Sequence, residues 1–175
     1  MPVTSVVRRA TGWVTLASAA LAFLPPLLTR LLMGQAFYLT GRGKLANFAA
    51  TVEFFTSLGI PMPQLNAAFV SRLEFYGGIA LILGLGTRLV AAGLASTMLV
   101  ALATADKQGF LDALRMTGDQ GLTDIVPVVY LLFLVWLVVA GPGVLSLDAL
   151  LARLFVARKS EVGVPSAADA DLAQA

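Results

Sequence analysis

Cysteine and histidine are both missing from this chain of 175 residues. Without cysteine, the chain has no dithiol relay, disulfide, iron–sulfur cluster or thiolate zinc site of its own. Without histidine, it lacks the commonest metal and haem ligand and the side chain that most readily carries protons near neutral pH. Any redox chemistry therefore has to come from a bound cofactor or from a partner protein.

Charge is also scarce. Charged residues make up 13% of the chain, against roughly 25% in an ordinary soluble domain. Hydrophobic residues make up 58%, and the mean hydropathy is +0.87. A spanning helix needs about 20 residues, so the chain has room for four or five spans in one membrane domain. The net charge of +2 is too small to indicate nucleic-acid binding.

Four apolar segments are long enough to be membrane spans. They run from about Pro25 to Lys44, Ala68 to Gly86, Leu89 to Ala105, and Asp124 to Ala140. The longer connections, 45–67 and 106–123, would lie on one side of the membrane, and a tight turn at 85–88 on the other. The second long connection contains a predicted short surface helix with Phe110, Leu111, Leu114 and Arg115. The sequence thus predicts an all-α integral membrane protein, a four-helix transmembrane bundle.

The apolar segment from Trp13 to Leu24 is too short to span a membrane alone. It is either an interfacial or re-entrant helix, the first half of a helix kinked at Pro25 and Pro26, or a signal peptide with its cleavage site at Ala20-Leu21-Ala22. The prolines and the next apolar segment follow at once, which counts against the signal peptide. We therefore divide the chain into an N-terminal helical segment (1–24), a membrane domain (25–148) and a C-terminal part (149–175).

The C-terminal part contains two predicted features. Ser146-Leu147-Asp148 caps a short amphipathic helix that reaches Phe155. The tail from Ser160 to Ala175 is polar and Ala-rich, and we expect it to be disordered. Basic residues near the span ends favour a cytoplasmic location of both termini by only six to five.

Four groups of residues occur in a specific order along the chain. They are Arg30-x3-Gly34-x2-Phe37-x3-Gly41-x2-Lys44, Phe54-Phe55-x2-Leu58-Gly59-Ile60-Pro61-x-Pro63, Glu74-x2-Gly77-Gly78-x-Ala80-Leu81-x2-Gly84-Leu85-x-Thr87-Arg88, and Gly141-Pro142-Gly143-x2-Ser146-Leu147-Asp148. The ordered set resembles the DoxX family of bacterial membrane proteins over about Pro25 to Asp148. The chain departs from the family pattern at Asp124, where we expect Glu, and it has none of the cysteines that some relatives carry. The missing cysteines argue against direct thiol chemistry.

The resemblance implies a four-helix transmembrane bundle in the bacterial inner membrane. It also implies a membrane subunit of an oxidoreductase system that is linked to quinone and acts with a partner redox protein. Quinone is the cofactor to expect, and haem, iron–sulfur and thiolate metal sites are not expected. The partners would be the lipid bilayer, a soluble or membrane redox protein and, in a homo-oligomer, further copies of the chain.

Arg30 and Glu74 are the first candidates for a site. A charge inside a membrane segment usually faces a partner or a wet cavity rather than lipid. The two residues could form a structural ion pair that holds the first two spans in register. Alternatively, they could line a pocket in which Arg30 binds a quinone carbonyl or an anionic ligand and Glu74 carries a proton. Arg30, Gly34 and Gly41 share one helix face, and such glycines typically allow close packing of helices.

Four further residues are second-rank candidates for ligand binding. Lys44 and Glu53 flank the outer end of the first span and could line a pocket mouth, although snorkelling or ordinary loop charge is the favoured explanation. Tyr38 could stack on a quinone, but anchoring at a membrane interface is the favoured interpretation. Asp124, at the start of the last span, is a typical helix cap.

Three functions from different classes remain open. The first is the redox subunit with a quinone pocket at Arg30 and Glu74. The second is a non-catalytic scaffold, in which the charged interior is a structural lock and the loops dock other proteins. The third is a small-molecule transporter, although four spans without an inverted repeat make it the least favoured.

Overall fold

The computed structural model describes residues 20–162, and the side chains of 20–154. All regular structure in this part of the chain is helical. The helices are, in chain order, α1 (Leu24–Ala46), α2 (Phe48–Ser57), α3 (Pro63–Leu83), α4 (Thr87–Ala103), α5 (Lys107–Arg115), a short 3-10 turn (Leu122–Asp124), α6 (Val126–Ala140) and α7 (Leu147–Val162).

The four predicted spans correspond to α1, α3, α4 and α6. Three of them both start and end within three residues of the prediction, but α3 begins at Pro63 rather than near Ala68. The prolines before it were interpreted as loop residues. Pro63 instead occupies the first turn of α3, where a missing amide hydrogen costs nothing.

Helix α2 lies inside the connection 45–67, for which no helix was predicted. It has 10 residues, so its apolar run is too short to stand out as a span. Its buried residues, Thr51 and Phe55, are four positions apart and face the rest of the protein. Asn47 separates it from α1, with a backbone conformation that is not helical.

The surface helix predicted in the second long connection is present as α5. The C-terminal helix is also present, but α7 reaches Val162 instead of Phe155, so Ser160 is helical rather than part of a disordered tail. The remainder of that tail lies outside the described residues. So do residues 1–19, which carry most of the N-terminal segment and its three interpretations, and the three-part domain division stays a prediction.

The four long helices before α7 pack as two close pairs, α1 with α3 and α4 with α6. The pairs contact each other through α3 with α4 and α1 with α6, around a core that includes Phe37, Leu81, Leu94 and Leu134. By length and hydropathy, no individual helix within residues 20–162 qualifies as a membrane span, whereas α4 and α5 qualify together as a pair bent by 80°. A transmembrane bundle therefore stays a proposal.

Helices α1 and α3 run antiparallel and approach each other through glycine. A Cβ on Gly41 would collide with the backbone of Phe75, and a Cβ on Gly78 would collide with the backbone of Tyr38. Gly34 packs in the same way against Ile82, 2.7 Å from the position its Cβ would take. The predicted role of these glycines in close helix packing is thus seen in the structure. The contacts also fix which residues of α1 lie opposite which residues of α3.

Candidate functional site

Arg30 is 2% exposed and binds backbone rather than a carboxylate. Its two terminal nitrogens donate hydrogen bonds of 2.6 Å to the carbonyl oxygens of Pro142 and Leu145. Both acceptors lie in the connection between α6 and α7. A planar guanidinium has its donors in a fixed fork, so it can bind two carbonyls at once. We call this arrangement the carbonyl lock.

Gly84 and Asp148 lie near Arg30 at the same end of the protein. Gly84 lies against the guanidinium and has a φ of +70°, so a side chain there would be both strained and in collision. Asp148 accepts hydrogen bonds from the amides of Gly86 (2.7 Å) and Thr87 (3.0 Å) and thereby caps the start of α4. The cap of α7 itself is Ser146, whose hydroxyl accepts from the amide of Ala149. Ser146 therefore has the predicted role, whereas Asp148 caps a different helix.

The ion pair between Arg30 and Glu74 is not formed. In the antiparallel register of α1 and α3, each step forward along α1 is matched by a step back along α3. Arg30 consequently lies beside Gly84, ten residues beyond Glu74, which is about 15 Å along a helix axis. The two candidates therefore belong to different ends of the protein, and the described residues form no pocket that contains both.

Glu74 pairs with Lys44 instead. The Lys44 ammonium donates to Oε1 of Glu74 at 2.6 Å, and it is the one salt bridge found among the described residues. Glu74 is 1% exposed, whereas the Lys44 side chain is 32% exposed. Lys44 lies in the last turn of α1, just beyond Gly41, where the close contact with Phe75 brings it within reach of Glu74. Lys44 was predicted only as a residue at a pocket mouth.

The Lys44–Glu74 pair forms the polar end of a cavity of about 200 Å³. We call it the Glu74 cavity. It is enclosed by α2, the first half of α3 and the second half of α4. Apolar side chains form most of its wall, among them Phe55, Leu58, Phe69, Met98 and Val100. Phe54, Phe69 and Val100 line it and are also at least half exposed on the outer surface of the protein. Apolar residues of the cavity wall are thus exposed at the surface, whereas Glu74 is buried.

The other polar side chains of the cavity mostly bond to their own helix. The hydroxyls of Ser96, Thr97 and Thr104 donate to the carbonyls of Gly93, Leu94 and Val100. The amide nitrogen of Asn66 donates to the carbonyl of Pro61. By contrast, Oε2 of Glu74 is buried and has no hydrogen-bond partner within the described part of the chain. A buried polar atom of this kind calls for an explanation such as a ligand.

The remaining predicted candidates lie outside the Glu74 cavity. Glu53 is exposed on α2. Tyr38 stacks on Phe75, with ring centroids 5.2 Å apart. Asp124 is exposed and accepts a hydrogen bond of 2.8 Å from the amide of Gly121, so it caps the short 3-10 turn rather than α6.

The cavity residues on α2 and α4 were not predicted. Ser96, Thr97 and Thr104 resemble ordinary polar positions in a membrane helix, and only packing against α3 places them near Glu74. One sequence signal was available: Glu74 is the only acidic residue of the second predicted span, and Lys44 is a basic residue at the end of the first. Because α1 and α3 are antiparallel neighbours, the end of α1, where Lys44 lies, is beside the part of α3 that contains Glu74.

Comparison with known proteins gives the following matches. A family model described as DoxX matches residues 26–107. A protein of Bacillus subtilis (strain 168) named "Putative oxidoreductase CatD" is 33% identical over 78 residues, covering 45% of this chain and 57% of that protein. The Escherichia coli (strain K12) protein named "Inner membrane protein YqjF" is 31% identical over 135 residues, covering 73% of this chain and 92% of that protein. No solved structure matches significantly.

Proposed function

This chain belongs to the DoxX family, and from that premise we propose that it is an inner-membrane subunit of a bacterial oxidoreductase system. The names of the two relatives support both halves of the proposal, one as an inner membrane protein and the other as an oxidoreductase. The finer proposal is that the chain binds a quinone in the Glu74 cavity and acts with a partner redox protein.

The surface of the four long helices supports a membrane location. Large apolar side chains point outward on every one of them: Leu32 on α1, Phe69 on α3, Leu89 on α4 and Leu132 on α6. A soluble monomer rarely exposes apolar surface so widely. With 23, 21, 17 and 15 residues, these helices are about 22 to 34 Å long, close to a hydrocarbon core of about 30 Å. We propose that all four cross the membrane, with both termini in the cytoplasm.

The Glu74 cavity is the observation that carries the quinone proposal. A dry protein cavity of about 150 Å³ takes up benzene, so one of about 200 Å³ has room for a substituted ring. The apolar wall suits the ring, and the Lys44–Glu74 pair suits its oxygen. A tail would leave between Phe54, Phe69 and Val100 into lipid, since these residues are exposed and apolar.

A quinone, when bound, supplies an acceptor for two electrons and two protons. The residues of this chain bind and orient it and exchange its protons. Lys44 has three donor hydrogens and uses one on Glu74, so it can also donate to a ring oxygen. Oε2 of Glu74 is available to accept a proton from that oxygen. Because the chain has neither cysteine nor histidine, we propose that electrons arrive through a partner protein.

Filling the cavity tests the proposal. Ala101 lines the Glu74 cavity, whereas Ala92, on the same helix, is exposed. We expect wild type and Ala92→Phe, purified in mild detergent, to contain extractable quinone or to bind an added decyl-substituted benzoquinone. We expect Ala101→Phe to be folded but to contain and bind none. A stable wild type without quinone that also fails to bind the added compound would refute the proposal, and so would an Ala101→Phe variant that binds normally.

A non-catalytic scaffold is the second candidate, and the carbonyl lock favours it. Arg30 is satisfied by the backbone of the α6–α7 connection, so this end of the protein needs no ligand to explain its charge. The scaffold predicts that Ala101→Phe changes neither quinone content nor the capture of protein partners. Only variants that destabilise the fold would then affect function.

A further inference from the structure

The two oxygens of the Glu74 carboxylate have different surroundings. Oε1 accepts from the Lys44 ammonium at 2.6 Å. Oε2 lines the same cavity but is buried, without a hydrogen-bond partner among residues 20–162. Burying a polar atom without a partner destabilises a protein strongly enough that native structures rarely retain one. The geometry therefore indicates the kind of atom that belongs beside Oε2.

That atom has to be a hydrogen-bond donor. A carboxylate in a salt bridge has lone pairs but no hydrogen, so it only accepts. The hydroxyls of Ser96, Thr97 and Thr104 already donate to backbone carbonyls of their own helix, and the side-chain amide of Asn66 donates to the carbonyl of Pro61. No donor among the described residues pairs with Oε2, so a ligand that carries a donor would satisfy it.

A hydroxyl on an apolar ring can act both as a donor to Glu74 and as an acceptor from Lys44 at this end of the cavity. Its hydrogen can be donated to Oε2 of Glu74, and its oxygen can accept from Lys44. A carbonyl or ether oxygen accepts from Lys44 equally well but offers no hydrogen, so Oε2 stays unpaired. The apolar wall and the exposed Phe54 and Phe69 beside the opening select a lipophilic molecule around that hydroxyl.

We propose that the Glu74 cavity prefers lipophilic phenols and hydroquinones over the corresponding ethers and quinones, and that Oε2 of Glu74 determines this preference. The inference rests on the proposed quinone function in one respect: it assigns the tighter binding to the reduced form of the proposed ligand. Leaving a buried acceptor unpaired lowers affinity by about tenfold to a hundredfold. We expect a preference of that size.

A redox-inert pair of ligands tests the donor requirement directly. Para-octylphenol and para-octylanisole have the same ring and tail, but only the phenol has a hydroxyl hydrogen. We expect the wild-type protein to bind the phenol about tenfold to a hundredfold more tightly in detergent titrations. Equal affinities, tighter binding of the anisole, or no binding of either would overturn the inference. The comparison needs no variant.

Glu74→Gln then assigns the preference to the carboxylate. An amide presents a donor as well as an acceptor, so we expect the ratio of the two affinities to fall to about one. Glu53→Gln is the matched control, because Glu53 is exposed on α2, and its ratio should equal that of wild type. A folded Glu74→Gln protein with an unchanged preference for phenol would also overturn the inference.

A decyl-substituted benzoquinone and its hydroquinone separate this inference from the proposed function. If the two bind wild type equally, the donor rule fails while the quinone function stands. If neither binds but the phenol is still preferred over the anisole, the quinone function and the hydroquinone part of the inference fail, while the donor rule for phenols stands. Tighter binding of the hydroquinone supports both.

Discussion

Replacing Arg30 with methionine should destabilise the protein without emptying the Glu74 cavity. The substitution keeps an apolar stem of similar length but removes both hydrogen bonds of the carbonyl lock. The carbonyls of Pro142 and Leu145 then lose their donors, and the α6–α7 connection loses its attachment to α1. Because Arg30 lies beside Gly84, far from Glu74, the substitution does not touch the cavity.

The size of the effect follows from these two bonds. A hydrogen bond to a charged group contributes about 1.5–3 kcal/mol to stability, so the pair contributes about 3–6 kcal/mol before any offset. The variant also removes a buried guanidinium, whose desolvation costs several kcal/mol, and this relief cancels part of the loss. We expect a net loss of about 2–4 kcal/mol in the free energy of unfolding. Arg30→Lys should lose about half as much, since an ammonium lacks the planar fork.

Unfolding in mixed micelles with increasing dodecyl sulfate, followed by circular dichroism, measures this free energy. Arg42→Met is the matched control, since Arg42 is on the same helix but exposed, and it should remain within about 0.5 kcal/mol of wild type. The reasoning would be refuted by an Arg30→Met protein as stable as this control. It would also be refuted by one that stays stable but no longer binds the cavity ligand, because Arg30 would then serve a ligand and not the fold.

Three further predictions concern the free energy of unfolding in the same assay. Gly78→Ala should lose about 2–4 kcal/mol because its Cβ would push α1 and α3 apart, whereas Gly43→Ala, with open space around it, should gain up to about 1 kcal/mol. Asp148→Ala should lose about 1–2 kcal/mol because α4 loses its cap. Lys44→Met should lose about 3–5 kcal/mol because Glu74 is left buried and alone, and adding Glu74→Met should restore most of that loss.

Each of these three predictions has an outcome that contradicts it. Equal effects of Gly78→Ala and Gly43→Ala would mean that α1 and α3 are not in close contact at Gly78. A neutral Asp148→Ala would mean that Asp148 does not cap α4. Additive losses for Lys44→Met and Glu74→Met in the double variant would mean that the two residues do not interact.

The helices were largely predictable, because long apolar segments and the Gly and Pro residues between them are visible in the sequence. Helix α2 was not, since ten residues with only Thr51 and Phe55 buried give a weak pattern. The start of α3 was misplaced because Pro63 suits both a loop and a first helical turn.

The partners of the charged residues were much harder to predict. Arg30 binds backbone carbonyls. Every residue has one, so the residue types of Pro142 and Leu145 do not identify them as its acceptors. The pairing of Glu74 with Lys44 rather than Arg30 depends on the register of α1 and α3. That register is set by glycine contacts whose positions, but not whose partners, are visible in the sequence.

The carbonyl lock also has a consequence for the order in which the protein matures. Arg30 and its acceptors are 112 and 115 residues apart in the chain, so a ribosome must synthesise the chain beyond residue 145 before both hydrogen bonds can form. Until then the guanidinium of Arg30 on α1 lacks its final acceptors. The start of α4 likewise lacks its cap, because Asp148 has not yet been synthesised. The early helices therefore lack these hydrogen bonds during most of synthesis. The α6–α7 connection supplies both acceptors of Arg30, so a chain truncated before residue 142 cannot form the carbonyl lock.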